Sequence, residues 1–185
     1  MNLEKKEQTM IERLYSEIRD DIKTGDLLIW DTELIEDKFD LLLKLYQKIF
    51  NAKYTHVGIA VSLGGRKLLV EAIPPVVRLY PISRKRDFYW LKLGLKNNFK
   101  YLNTLFMQLG KPYSLFDLIK HVFRFKTDQS DFYCSELASL FYKEVGLLEE
   151  NDIGVTPDKL VNLILNKSKS EIVKVKIDSV NIKVL

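Results

Sequence analysis

The sequence predicts an α+β fold in a single domain, and three observations predict it. Apolar residues at helical spacing gather toward the two ends of the chain, and β-rich apolar runs gather in the middle. Gly64-Gly65 joins two of those runs in the manner of a hairpin. Helices, a β-meander, helices and a β tail then follow one another, whereas a parallel α/β sheet would alternate strand with helix.

Each element has its own local reason. Leu3, Met10, Ile11, Leu14 and Ile18 stand among charges at the spacing of an apolar helical stripe, which predicts a leading helix over residues 3–20, within a segment 1–22. Lys23-Thr24-Gly25-Asp26 reads as a turn, and Leu27 to Trp30 as a short buried strand. Leu34 to Phe50 has helical spacing again. Thr55 to Ser62 and Lys67 to Ala72 are the hairpin strands, the second ended by Pro74-Pro75 because proline cannot donate to a ladder. Val76 to Tyr80 and Phe88 to Leu93 are two further strands. Phe99 to Leu109 predicts a helix stopped by Gly110-Lys111-Pro112, and Leu115 to Phe125 predicts another. Cys134 to Val145 carries Leu137, Leu140, Phe141 and Val145 on one side, with Gly146 just beyond its end. Thr156-Pro157 is an N-cap followed by proline at the first helical position, opening a helix to Leu165. The tail, residues 170–185, alternates from Glu171 to Val184 as one or two edge strands would.

Composition limits the function classes. The chain has 185 residues, enough for one domain with a sizeable core, and no linker or repeat divides it. Its net charge of +4 is small and dispersed, which argues against a nucleic-acid surface. The densest basic run, Arg84-Lys85-Arg86, is followed by Asp87 and reads as a solvated turn. A single cysteine precludes an intramolecular disulfide and a multi-cysteine zinc site. Nothing in the chain supplies metal-ligand spacing, so no cofactor is expected. The charged N-terminal stretch lacks the apolar core of a signal peptide, and no run approaches the ~18 apolar residues of a membrane helix. A cytoplasmic protein is the default expectation, with phage or viral origin open.

Three residues suggest chemistry when taken together. His56 shares a strand face with Gly58, Ala60 and Ser62, small residues that leave room beside an imidazole. Glu71 interrupts the apolar run Leu68-Leu69-Val70-Glu71-Ala72, where a buried carboxylate needs a partner. The hairpin makes these strands neighbours, so Glu71 could orient His56 as the third member of a triad does. Cys134 opens a helix, where the dipole favours a thiolate and free N–H groups could receive an oxyanion. Singly each residue has a plainer reading: a cysteine is commonly a small buried hydrophobe, a histidine structural or exposed, a strand glutamate solvated. Their coincidence with a helix start and a Gly-Gly hairpin is what raises the catalytic reading.

The motifs also carry a resemblance. Gly25-Asp26-Leu27-Leu28, Thr55-His56-Val57-Gly58-Ile59, Val70-Glu71-Ala72, Gly110-Lys111-Pro112-Tyr113 and Tyr133-Cys134-Ser135-Glu136-Leu137 occur in that order. This series resembles the circularly permuted, YiiX-like branch of the NlpC-type papain-like hydrolases, in which the histidine strand precedes the cysteine helix. It spans roughly residues 24–165, with Thr156-Pro157 matching a terminal helix start, and leaves the leading helix and the β tail unexplained. The resemblance implies a papain-like, permuted antiparallel sheet with a packed cysteine-bearing helix. It further implies Cys134 as nucleophile, His56 as base and Glu71 as its orienting partner. Tyr113 would assist oxyanion or substrate positioning, and Ser135 is a substrate or oxyanion candidate whose plainer reading is structural. The implied activity is thiol hydrolysis of an amide in a peptide, cell-wall fragment or N-acyl substrate, through an acyl-enzyme.

Two alternatives stand beside it. Lipid acyl transfer or thioester hydrolysis on the same permuted fold resembles the lecithin retinol acyltransferase-like enzymes, which follow the cysteine with Glu-His where this chain has Ser135-Glu136. A non-catalytic binding module is the other. Among lesser candidates, Asp26 reads as a cap or turn residue, His121 as a packing or exposed helix residue, Glu136 as a first-turn acid and Phe88-Tyr89-Trp90 as core.

Overall fold

Residues 12–14 lie in extended backbone, and what decides this is a pairing partner far along the chain. Glu12–Leu14 (β1) runs parallel to Ile172–Lys176 (β7), with Arg13 opposite Val175. The computed structural model describes residues 11–31, 52–95, 99–113 and 133–178. The helix predicted over 3–20 is therefore corrected where it is described: β1 is followed by one turn of helix, Tyr15–Ile18 (α1), and a 3₁₀ turn over Arg19–Asp21. Ser16 ties this segment down by donating its N–H and hydroxyl to Asp178. Of the described members of the predicted stripe only Ile18 is buried, whereas Ile11 and Leu14 are exposed; Tyr15 and Ile22 supply the other buried contacts of the segment. The helices predicted over 34–50 and 115–125, and His121, lie outside the described residues.

The middle of the chain follows its pattern. Leu27–Trp30 (β2), His56–Leu63 (β3), Arg66–Ile73 (β4), Val76–Pro81 (β5) and Phe88–Leu91 (β6) are antiparallel neighbours with β7 in the order β1-β7-β6-β2-β3-β4-β5. Gly64 and Gly65 form the two-residue turn with φ of 54° and 74°, the left-handed pair that a type I′ hairpin demands. The sheet is mixed, because β1 and β7 are parallel. The tail enters it between β1 and β6 and is not an edge, a second departure from expectation.

Both faces of the sheet are covered, which is why β2 and β6 read as unbroken apolar runs. On one face Leu27, Ile29, Val57, Ile59, Val61 and Val70 pack with the helices Phe99–Phe106 (α2), Cys134–Glu144 (α3) and Pro157–Ser168 (α4). On the other, Leu28, Trp30, Ala60, Leu69, Phe88 and Trp90 pack against Tyr15, Ile18, Ile22 and Ile82. Helix α4 opens as its sequence predicts, with Thr156 Oγ1 accepting from the Lys159 N–H at 3.3 Å and Pro157 first in the helix. Among the described residues no helix is long and apolar enough to cross a membrane.

Candidate active site

The geometry begins with strand parity. His56 is the first residue of β3 and pairs with Trp30 of β2, its ring centroid 5.4 Å from the indole. It shares parity with Ala60, and so lies on the face opposite the one that receives α3. What occupies the room beside Gly58 is Leu69 rather than the cysteine helix: a β-carbon at Gly58 would stand 2.6 Å from Leu69 Cδ1. His56 reaches Cys134 only because it sits at the strand's end, where the start of α3 comes close.

Glu71 shares that face. One step beyond the Ile59–Val70 pair of the hairpin lie Gly58 and Glu71, one diagonal from His56. The imidazole Nε2 and Glu71 Oε2 are 2.7 Å apart. Glu71 is wholly buried and has two further cationic partners. Arg78, directly opposite it on β5, brings Nε and Nη2 to Oε1 at 2.9 and 2.8 Å. Lys85, from the turn after β5, brings Nζ to Oε2 at 2.7 Å. The basic run is thus not wholly solvated, since its central lysine is turned inward. Lys85 also lies over the rings of Trp30 and Tyr80, at 5.0 and 5.6 Å, and the Arg78 guanidinium lies 4.4 Å over Tyr80.

These contacts set the charge states. Burial pushes the Glu71 carboxyl up, but the His56 hydrogen bond and charge, then Lys85, outweigh it and hold the group down at about 2. Burial pulls His56 down, while hydrogen bonds with Cys134 and Glu71 and their charges raise it to about 9. With Nε2 held by Glu71, Nδ1 is the ring nitrogen left for the sulfur.

Cys134 is the first residue of α3, after Tyr133 in extended conformation, and is 5% exposed. Its Sγ lies 4.0 Å from the Thr55 carbonyl oxygen. The first α3 hydrogen bond runs from the Leu137 N–H to the Tyr133 carbonyl, so the N–H groups of Cys134 and Ser135 precede the intrahelical ladder. The Ser135 hydroxyl is committed elsewhere: it is buried and donates to the Val155 carbonyl at 2.6 Å, so only its backbone N–H is left for an oxyanion. Tyr113 is fixed through its own N–H to the Pro75 carbonyl at 2.8 Å, and burial together with the charge of Cys134 raises its hydroxyl.

The lesser candidates resolve as structure. Asp26 is fully buried and accepts from the Lys23 N–H, the Trp90 indole and the Leu93 N–H, knotting the β2 turn to β6. Phe88, Tyr89 and Trp90 are core. Three contributors escaped sequence reading. Arg78 could have been found, because a two-residue turn at Pro74-Pro75 sets position 78 opposite 71. Lys85 left no signal within its basic run. Asp158, in the first turn of α4, accepts from the Lys53 and Tyr54 N–H groups at 2.8 and 3.0 Å and so fixes the approach to His56.

No protein-family model matches the chain, and no curated protein does. Among solved structures it is similar to the crystal structure of metalloprotein yiiX from Escherichia coli O157:H7, of DUF1105. The TM-score is 0.51 at 17% identity, covering 82% of this chain and 88% of that one. The likeness is one of fold: the chain has a YiiX-like α+β architecture.

Proposed function

We propose that the protein is a thiol hydrolase that cleaves an amide through an acyl-enzyme on Cys134, on a permuted papain-like framework. The observation that carries this reading is one imidazole that Glu71 holds at 2.7 Å on Nε2 and that also hydrogen-bonds the thiol of a helix-opening cysteine. His56, protonated at neutral pH, is the counter-ion of a Cys134 thiolate. The thiolate attacks the substrate carbonyl, and the oxyanion takes hydrogen bonds from N–H groups at the start of α3. The imidazolium then gives its proton to the departing amine. Water attacks the thioester, its proton passing to His56, and the thiolate leaves. Acid–base help of this kind is worth about 10²–10⁴ in rate. Glu71 keeps Nε2 protonated and the ring in place, and the amide class follows from the motif resemblance.

The similar yiiX is a metalloprotein, which raises the question of a metal at Glu71 and His56 here. The residues here do not fit one. Glu71 Oε1 takes both Arg78 nitrogens and Oε2 is shared by His56 and Lys85, so a cation would have to displace cations. Among the described residues no group of three or more His, Cys, Asp or Glu side chains is set to hold a metal ion.

The test is alkylation of Cys134 by iodoacetamide across pH, in the wild type and in His56→Ala. The expected outcome is ready alkylation of the wild type and at least about tenfold slower reaction in the variant. An equally slow thiol in both proteins would return Cys134 to the packing residues and end the hydrolase reading.

A further inference from the structure

A buried carboxylate that serves a catalytic histidine faces a difficulty when the ring gives up its proton. If His56 were the only counter-charge of Glu71, each deprotonation would strand a fully buried anion, and burial alone favours the neutral acid. The proton lost by the ring would then be drawn onto Glu71, and Nε2 could lose the hydrogen that fixes its tautomer.

The arrangement around Glu71 removes that difficulty. Arg78 binds Oε1 through two nitrogens, and Lys85 shares Oε2 with His56, each contact at 2.9 Å or less. Lys85 is the more closely held of the two, since the Arg78 side chain is 39% exposed. Arg78 stacks on Tyr80, and Lys85 lies between the faces of Trp30 and Tyr80, its side chain 15% exposed. The Cys134–His56 couple sums to zero charge both as thiolate with imidazolium and as thiol with imidazole. Arg78 and Lys85 against Glu71 leave one surplus positive charge in either state. The carboxylate therefore stays ionised throughout a cycle of proton transfer at the ring.

We propose that Arg78 and Lys85 are positioning residues that hold Glu71 ionised independently of His56, and that Lys85, by sharing Oε2, limits how tightly the ring keeps its proton. The inference rests on the reading of Cys134 and His56 as a reacting pair. Around the ring and its two partners stand Glu71 on β4, Arg78 on β5, Lys85 in the turn after β5, Cys134 on α3, and Tyr113 beside Cys134. Removing Lys85 takes away a like charge and a competitor for the shared oxygen, so the sign is fixed: the ring must bind its proton more tightly.

The experiment is a proton NMR titration of the ring. His56 and His121 are the only histidines, and His121→Gln assigns the two signals. Lys85→Met keeps an aliphatic side chain against Trp30 and Tyr80 while removing the charge. The expected result is a rise of about tenfold in the proton affinity of His56, about one pH unit, with Lys85→Arg restoring the wild-type midpoint. If Lys85→Met fails to fold, Lys85→Gln, which can still donate to Oε2 but is uncharged, must show a rise in the same direction. An unmoved midpoint in either folded variant overturns the proposal, because a lysine that merely packs would leave the titration where it was. The alkylation test separates the two readings. An inert Cys134 ends the hydrolase reading and with it the positioning role of the two cations, and a reactive Cys134 with an indifferent ring ends the clamp alone.

Discussion

Replacing Glu71 by Gln tests the centre of the site without knowledge of the substrate. Gln keeps the shape of the side chain and removes its charge. In the folded protein the carboxyl sits at about 2, against an ordinary 4.5. A displacement of that size corresponds to about 3 kcal/mol of stability, at ~1.4 kcal/mol per unit. The folded value is the lower one, so this contribution is complete above pH 4.5 and is lost as pH falls toward 2. The amide has no such dependence. At pH 6 the variant should therefore be less stable by about 3 kcal/mol, near the low end of the ~3–5 expected when one member of a buried pair is removed. Arg78, whose side chain is 39% exposed, can turn to water and keep the loss at that end. By pH 2 most of the gap should have closed. Urea unfolding of both proteins at pH 6, 4, 3 and 2 reads this directly, and carboxylates such as Asp158 cancel because both chains carry them. Parallel loss of stability in the two proteins over that window would refute the ion-paired description of Glu71.

Two further outcomes follow from the same geometry. His56 is held at about 9 against an ordinary 6.5, so its contribution is complete below 6.5 and is lost as pH rises through 9. Wild type should lose about 3 kcal/mol more than His56→Ala over that range, not additional to the Glu71 figure because one contact enters both, and equal losses in urea would contradict it. Gly58→Ala places a β-carbon 2.6 Å from Leu69 Cδ1 and 3.2 Å from the Val70 carbonyl oxygen. Overpacking of about 1–3 kcal/mol is expected, and an unchanged melting temperature would mean that Leu69 has somewhere to go.

Legibility in the sequence followed the range of the interactions. The hairpin was readable because Gly64-Gly65 encodes its own turn, and α4 because Thr156-Pro157 encodes its own start. The near meeting of His56 and Glu71 came from the same short-range logic. Residues 12–14 were not readable: their stripe is helical, and only β7, more than 150 residues on, draws them into a sheet. For the same reason the tail appeared as an edge, since the strand that covers it comes from the other end of the chain. Strand parity put His56 and the cysteine helix on opposite faces of the sheet, a relation that depends on which side α3 packs. Lys85 escaped notice because a basic tripeptide looks solvated until a buried carboxylate is known to lie beneath it.

The separations along the chain have a consequence for the order in which the protein is made. Fifteen positions separate His56 from Glu71, and seven more reach Arg78, whereas 79 separate Thr55 from Cys134. At ~5–20 residues per second of synthesis, Cys134 leaves the ribosome about 4–16 seconds after the strand that carries His56. The ring, carboxylate and clamping cations belong to one meander whose contacts are local, and the thiol joins by a long closure that is slower to form. A nascent chain would thus hold the imidazole, its carboxylate and the cations around them before it holds the sulfur that completes the cluster.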